Sequence, residues 1–386
     1  MTEILILGAG YTGMGAAMGL AGRLKRREDV RITLVNPQTR FTERLRLHQA
    51  ASGEELADLQ IPDRLAGSGV DFVQGWVTSI HADAKTVRID DEYELRYDAL
   101  VYALGSVADT ESVPGVDEFA YTLDSADEAA TLAAQLDRLG NATVVVAGGG
   151  LTGVESAAEI AEQHPDADVI LLSRDEPGSM MGAKARARLH AGLARLGVHV
   201  RAGADIVKVM ADGVALADGE VVAAQAVLWT TGVRVSPLAA TAGLQVDGRG
   251  RIITDESLRS VSHPNVYAIG DAAAIRQSYG VMHGTCQSGI PTSMHAAASI
   301  VRELKGKQPK PFRFGYVHQP VSLGRHDAVI QFTHADDTPA RFYLAGRLAA
   351  AYKETVSSSP WTTYRMIRAM PSIGSMTWRR GAGTTS

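Results

Sequence analysis

The sequence predicts an α/β protein with two Rossmann-like dinucleotide-binding domains and a small C-terminal portion. Two matching stretches carry that prediction. "EILILGAGYTGMGAAMGL" (residues 3–20) is an apolar run, a glycine turn and a small-residue helical pattern, and "VVVAGGGLTGVESAAEI" (residues 144–160) builds the same object again. Length agrees, because 386 residues exceed one ordinary core and suffice for two or three domains.

The first unit opens with the strand-like "ILIL", turns at Gly8, Ala9, Gly10, Tyr11, Thr12 and Gly13 in a GxGxxG pattern, and continues as "MGAAMGLAGRLKRR". The alternating, β-branched "VRITLVN" then reads as a second strand ending at Asn36 and completes a βαβ unit. Gly8 permits the tight turn, Gly10 lets backbone approach a pyrophosphate, and Gly13 lets helix and strand pack closely. The free N–H groups and positive dipole end of the helix stabilise phosphate charge without a lysine.

The second unit places Gly148, Gly150 and Gly153 at the same spacing, between the strand "ATVVVAG" and the helix "LTGVESAAEIAEQ", with "DVILLSR" as its following strand. A lone GxGxxG matches many loops, but two copies inside complete βαβ patterns are hard to explain as packing turns. Two such sites suggest two different dinucleotides whose reactive rings meet: FAD held by one unit, and NAD(P)H visiting the other to give up a hydride.

Composition narrows the alternatives. Hydrophobic residues at 45% and charged residues at 21% are those of a folded globular protein. A net charge of -5 lacks the positive field that nucleic-acid binding needs. The one cysteine, Cys286, allows neither an intrachain disulfide nor a redox pair, so a cytoplasmic location is expected. The first strand-like run begins at Glu3, leaving no room for a signal segment, and no apolar run is long enough to span a bilayer. The histidines lack HExxH spacing and no thiolate cluster exists, so no metal is expected; GxSxG is absent too.

Two further stretches, "LVYALGSVAD" (residues 100–109) and the segment ending "NVYAIGDAAA" with Gly270 and Asp271, make the chain resemble the two-dinucleotide-binding-domain flavoproteins. Within the pyridine nucleotide-disulfide oxidoreductase group it most resembles type II NADH:quinone oxidoreductases, a branch lacking the redox disulfide. The resemblance runs from Met1 to about Gly306 and then fades. It implies a discontinuous FAD-binding domain (1–110 and 236–315), an NAD(P)H-binding domain (111–235) and a C-terminal portion (316–386). It further implies cofactor contacts from the glycine-turn residues Gly8, Gly10, Tyr11, Thr12, Gly13, Gly148, Gly150, Leu151, Thr152 and Gly153. Asn36, Arg44, Val77, Ala103, Gly105, Ser173, Arg174, Gly232, Gly270 and Asp271 join them, and Glu155 and Gln287 are expected both to touch cofactor and to serve catalysis.

Departures from the family pattern bear on specificity. An acidic residue commonly holds the ribose at the end of the second strand; Asn36 can accept one hydrogen bond and donate another there, or serve as a turn residue before Pro37. In the second unit Ser173 and Arg174 replace the acid, which favours NADPH, since guanidinium pairs with a 2'-phosphate that a carboxylate would repel. The alternative is a solvated Arg174 beside Asp175 and Glu176. Glu155, in the first turn of its helix, is expected from the resemblance to approach the nicotinamide amide; the simpler role is helix-start stabilisation.

Disulfide reductases pass electrons to a CxxxxC pair, and related peroxide and coenzyme A disulfide reductases use one cysteine near the position of Phe41–Gly53; neither exists here. Electrons then leave the flavin directly, and a quinone-like acceptor suits that route. "FTERLRLHQAASG" (residues 41–53) resembles the segment beside the flavin, with Glu43, Arg44 and Arg46 interrupting its apolar character. Arg40, Arg44 and Arg46 either orient an acceptor or form a solvated basic face. "GTCQSGIPTSMHAAASIV" (residues 284–301) resembles the helix whose start flanks the flavin pyrimidine, with Gln287 matching and Cys286, read as a packing residue, replacing an alanine. That helix start would stabilise charge on the reduced flavin.

At the end of the chain Trp361, Tyr364, Ile367 and Met370 recur at helical spacing, the last 26 residues hold four arginines and no acid, and Pro371 should stop the helix and leave it short. Such a segment suits peripheral contact with an anionic membrane face, docking over the flavin domain, or a homodimer contact. Three functional readings stay open: an NAD(P)H:quinone-type reductase, a soluble flavin reductase serving a small redox protein or biosynthetic substrate, and a nicotinamide-responsive binding protein resembling apoptosis-inducing factor.

Overall fold

The computed structural model describes residues 1–371, without the side chain of Cys286, so the expectation for that side chain and the end of the tail (372–386) lie outside the described residues. In chain order the elements that position the site begin with β1 (Thr2–Leu7), α1 (Tyr11–Leu24), β2 (Val30–Asn36), α2 (Leu47–Ala50), β3 (Val70–Gln74) and β4 (Ala99–Tyr102). The second unit follows as α3 (Ala126–Leu139), β5 (Thr143–Ala147), α4 (Leu151–Gln163), β6 (Asp168–Ser173), α5 (Ala183–Arg195), β7 (His199–Ala202) and β8 (Ala226–Trp229). Then come β9 (Val266–Ala268), α6 (Cys286–Glu303), β10 (His318–Ser322), β11 (Ala328–Thr333), β12 (Pro339–Ala345) and α7 (Arg347–Ala369).

The α/β class is as predicted, with two parallel sheets. The first has the order β9-β4-β1-β2-β3, with Ile4 opposite both Ile32 and Ala99, and its fifth strand comes from beyond the second unit. The second has the order β7-β6-β5-β8, with Val144 opposite both Val169 and Ala226. Strands covered on both faces read as continuous apolar runs, which is why Ile4–Leu7 and Val144–Ala147 show no polar alternation; all are buried. Residues 77–96 and 206–223 each add a small antiparallel sheet, and β10-β11-β12 form a third.

α7 differs from its expectation in length. It stops at Ala369, just before Pro371, but it starts at Arg347 and carries Pro360 inside, so it spans 23 residues rather than a few turns. No helix of the described residues is long and apolar enough to cross a membrane.

The described part of α7 docks on the first unit. Tyr364 is fully buried and donates a hydrogen bond to the Tyr11 carbonyl at 3.1 Å. Phe41 lies 5.1 Å from the Trp361 ring and 6.0 Å from that of Tyr364, while the Arg64 guanidinium stacks 4.4 Å above Trp361. Arg368 donates to the Gly67 carbonyl and Arg23 to that of Pro371. A side chain at Gly22 would overlap the Arg368 backbone, so α1 has no Cβ where α7 crosses it most closely.

Tyr364 separates the two contributions to this docking. Tyr364→Phe removes one buried hydrogen bond and should cost ~1 kcal/mol. Tyr364→Ala also leaves a cavity against Phe41 and Trp361 and should cost ~3–5 kcal/mol. Urea unfolding monitored by tryptophan fluorescence reads both, and equal losses would mean that ring packing contributes nothing.

Candidate functional site

The two glycine turns are built alike. Gly8 has φ 91° and Gly148 φ 116°, a left-handed region open to glycine, and a Cβ on Gly8 would come within 2.6 Å of the Ala103 carbonyl oxygen. A Cβ on Gly13 would overlap the Gly8 carbonyl, and one on Gly153 that of Gly148, so neither helix could close on its strand with alanine there. Gly10 and Gly150 are different, because a Cβ on either would meet nothing within 4 Å. These two residues cap α1 and α4 without any side-chain hydrogen bond to the first-turn N–H groups. Open space at the positive end of a helix that no side chain caps is what a pyrophosphate requires.

Around the first turn the structure gathers residues distant in sequence. A Cβ on Gly270 would come 2.8 Å from the Thr12 methyl, and the Gly270 N–H donates to Thr292 of α6 at 3.2 Å. Asp271 accepts from the Ser106 hydroxyl at 2.8 Å, one residue past Gly105 in the loop after β4. Arg44 ties the same loop down, donating to the Ser106 carbonyl at 2.5 Å and to Asp124 at 2.7 Å. Asn36 accepts from the Ala9 N–H at 2.9 Å and donates to the Gln38 carbonyl at 2.8 Å, so its amide holds the turn in shape. Tyr11 packs edge-on against Phe41 at 5.2 Å, and Val77 begins the small antiparallel sheet of residues 77–96.

The second turn has a sparser rim. Leu151 and Thr152 open α4, and Ser173 is buried under Gly149, where a Cβ would overlap its hydroxyl. Arg174 is exposed, and among the described residues its guanidinium has no ion-pair or hydrogen-bond partner; neither Asp175 nor Glu176 engages it. Gly232, with φ 74°, faces Asp109 across the paired crossing strands 107–108 and 233–234.

Gln287 lies in the first turn of α6, and its side chain spans to the C-terminal portion. Its NH2 donates to the His318 carbonyl at 3.0 Å and its oxygen accepts from the Val317 N–H at 2.6 Å. The helix start itself carries a reciprocal cap between Thr285 and Ser288. This residue therefore fixes the strand entering β10 against the helix.

Glu155 sits where both units and the C-terminal portion meet. Its Oε1 receives the Lys353 ammonium at 2.8 Å, the Ser322 N–H at 2.9 Å and the Ser322 hydroxyl at 3.1 Å. Burial works to raise the pKa of this carboxyl, but the Lys353 charge and the Ser322 donors win and hold it below the usual carboxylate range. His48 of α2 is buried beside the pair, with no hydrogen-bond partner at Nε2, and burial depresses it to about 4. Lys353, Ser322 and His48 were not anticipated from the sequence. Lys353 and Ser322 lie beyond the reach of the resemblance and carry no motif, and His48 is an isolated histidine.

The pyridine nucleotide-disulphide oxidoreductase profile matches residues 2–299. The chain is 32% identical over 355 residues to a NADH dehydrogenase-like protein of Mycobacterium tuberculosis, covering 85% of this chain and 87% of that one. It is 29% identical over 389 residues to the type II NADH:quinone oxidoreductase of Staphylococcus aureus, covering 92% and 94%. Among solved structures, the sulfide:quinone oxidoreductase of Aquifex aeolicus superposes with a TM-score of 0.82 at 18% identity over 96% of this chain and 93% of that one, which shows a shared fold.

Removing one partner of a buried ion pair strands the other. Lys353→Met should cost ~3–5 kcal/mol near neutral pH. In the wild type the lowered Glu155 pKa contributes stability that is present above the ordinary carboxylate range and lost on acidification. Lys353→Met should flatten that acid limb, and Glu155→Gln in the same chain should restore most of the loss. Urea unfolding across acid and neutral pH reads this; a double variant no more stable than Lys353→Met would refute the coupling.

Proposed function

Because this chain belongs to the pyridine nucleotide-disulphide oxidoreductase family, we propose that it moves two electrons from NAD(P)H through FAD to a quinone-like acceptor. The observation that carries the reading is the pair of uncapped glycine turns with open space at Gly10 and Gly150, on a chain with one cysteine and hence no dithiol. FAD belongs with the first turn, which the Gly270–Asp271 pair, Ser106 and α6 surround, and NAD(P)H with the second. FAD held there would supply hydride acceptance and onward transfer of two electrons.

The chain's own residues supply binding and order. The first-turn N–H groups of α1 and α4 hold pyrophosphates. Asn36 keeps the first turn in the shape that leaves Gly10 open. Unpaired Arg174 favours a 2'-phosphate and hence NADPH, by bidentate charge-assisted hydrogen bonds. The Glu155–Lys353 pair, buried at the junction of the two units, holds an ion pair out of bulk water on the helix that opens at the second turn. The quinone reading draws on the likeness to the type II NADH:quinone oxidoreductase of Staphylococcus aureus.

One observation favours a second acceptor class. In the Phe41–Gly53 segment Arg46 lies 3.9 Å from Glu43 and 3.5 Å from both Glu54 and Glu354, which makes that rim ionic. An ionic rim suits a water-soluble acceptor such as a small redox protein better than a lipid-tailed quinone. Anaerobic reduction followed by a panel of short-chain quinone, long-chain quinone and ferredoxin-type protein tests this. Fast reoxidation by either quinone supports the first reading, and reoxidation by the protein alone supports the second.

Losing a charge-assisted pair of hydrogen bonds costs about 1.5–3 kcal/mol. Arg174→Ala should therefore raise KM for NADPH by ~10–100-fold while KM for NADH changes by less than about twofold. Initial-rate kinetics with both nucleotides check this, and equal shifts would remove the 2'-phosphate assignment.

A further inference from the structure

At the end of the second unit opposite its glycine turn lies a cavity that nothing above employs. Its volume is about 350 Å³, and it is lined by Glu162 of α4, Arg188 and Arg195 of α5, His326 and Asp327 of the turn between β10 and β11, and Arg347 at the start of α7. β7 begins four residues after Arg195 and runs parallel to β6, so the last turn of α5 stands at the edge of the sheet where strands start, whereas the glycine turn stands where they end. Glu162 is eleven residues beyond Leu151, about 16 Å down α4 from the turn. The cavity is therefore separate from the nucleotide cradle.

Its cations are brought together by the spacing of α5. Arg188, Gly192 and Arg195 follow one another by four and three residues and form one stripe of the helix. Gly192 is buried, and a Cβ there would come within 2.5 Å of the Leu323 side chain, so glycine lets α5 lie directly on the turn and carries both arginines to it. Asp327, 7% exposed, is the fixed point: its Oδ1 accepts from the Ala328 N–H at 2.9 Å, and its Oδ2 faces Arg188 at 2.5 Å and Arg195 at 2.8 Å. One carboxylate oxygen thus holds two guanidiniums side by side and can neutralise only one of them. Glu162 is engaged with the Arg325 backbone N–H at 2.6 Å, and among the described residues Arg347 has no ion-pair or hydrogen-bond partner for its guanidinium.

Three guanidiniums converging from two helices leave a surplus of positive charge here, on a chain whose net charge is -5. Each guanidinium presents paired N–H groups that match the oxygens of a phosphate or carboxylate. Donors arriving from several directions suit a tetrahedral group with three acceptor oxygens and about two negative charges better than a flat, singly charged carboxylate. The volume falls within the ~300–1,000 Å³ of small-molecule sites, and a charged lining suits a compact, highly ionised ligand.

We propose that this cavity binds a phosphoryl dianion, as free phosphate or as the monoester of a small metabolite, with Arg188, Arg195 and Arg347 around it and Asp327 positioning the first two. The inference is independent of the reading of the preceding subsection. The bound phosphate bridges α5 of the second unit to α7 six residues before Lys353, so it adds a ligand-dependent tie to the helix that reaches Glu155.

Isothermal titration calorimetry on flavin-loaded protein saturated with NADP+, which keeps both glycine turns occupied, tests this with glycerol 3-phosphate, inorganic phosphate and citrate at fixed ionic strength. At least one phosphate probe should bind one to one with a Kd below about 1 mM. Tighter binding of glycerol 3-phosphate assigns the site to an ester, and equal or tighter binding of inorganic phosphate assigns it to the free ion. Arg347→Gln and Arg195→Gln, both at exposed side chains, should fold and should each weaken binding about tenfold, while Lys184→Gln at the other end of α5 should change it by less than about twofold. Wild type that takes up neither phosphate probe below about 10 mM, citrate that binds tighter than both, or variants that bind like wild type overturn the proposal. Protein that NADP+ fails to saturate sinks the functional reading instead, and the comparison of wild type with Arg347→Gln and Arg195→Gln still decides whether this cavity takes phosphate.

Discussion

A helix can start directly beneath the strand that precedes it only if nothing projects from either at the crossing. In this protein that condition is met twice, at Gly13 over the Gly8 carbonyl and at Gly153 over the Gly148 carbonyl. Everything else is arranged around the resulting gaps. Because α1 and α4 start close under their sheets, their N-termini open onto free space at Gly10 and Gly150 with no side-chain cap over them. Both of these helices lack a side-chain cap, whereas α3 is capped by Ser125 and α6 by Thr285 and Ser288. α5 and α7 lack a side-chain cap too, so what sets α1 and α4 apart is the open, uncapped start combined with the glycine crossing beneath the strand.

Between the two gaps the chain concentrates its buried charge. Residues from α2, α4, β10 and α7 converge on Glu155, and the interior there is ionic where the strand runs Ile4–Leu7 and Val144–Ala147 are apolar. Such a junction is costly to desolvate and is stable only when its partners are in place.

The parts of this arrangement that were legible in the sequence are those encoded locally. A strand, its glycine turn and the following helix occupy contiguous residues, so both units could be read at Gly8–Gly13 and Gly148–Gly153, and the α/β class followed. Ser173 and Arg174 were readable for the same reason, at the end of β6. Lys353 and Ser322 were not, because their significance arises only when the last third of the chain folds back on α4. α7 was seen only in its final turns, where Trp361, Tyr364 and Ile367 form an apolar stripe; upstream, "KETVSSSP" is polar and serine-rich and offers no such signal. Gln287 was found by likeness, but the work of its side chain, holding Val317 and His318, depends on a contact across 30 residues.

α7 touches both halves of the molecule. Lys353 near one end reaches Glu155 of the second unit, and Tyr364 near the other reaches Tyr11 of the first, about 16 Å apart along one helix at 1.5 Å per residue. One helix anchored at two points restrains how far the two units can turn against each other, and Pro360, which removes one backbone hydrogen bond between the anchors, is where that restraint is softest.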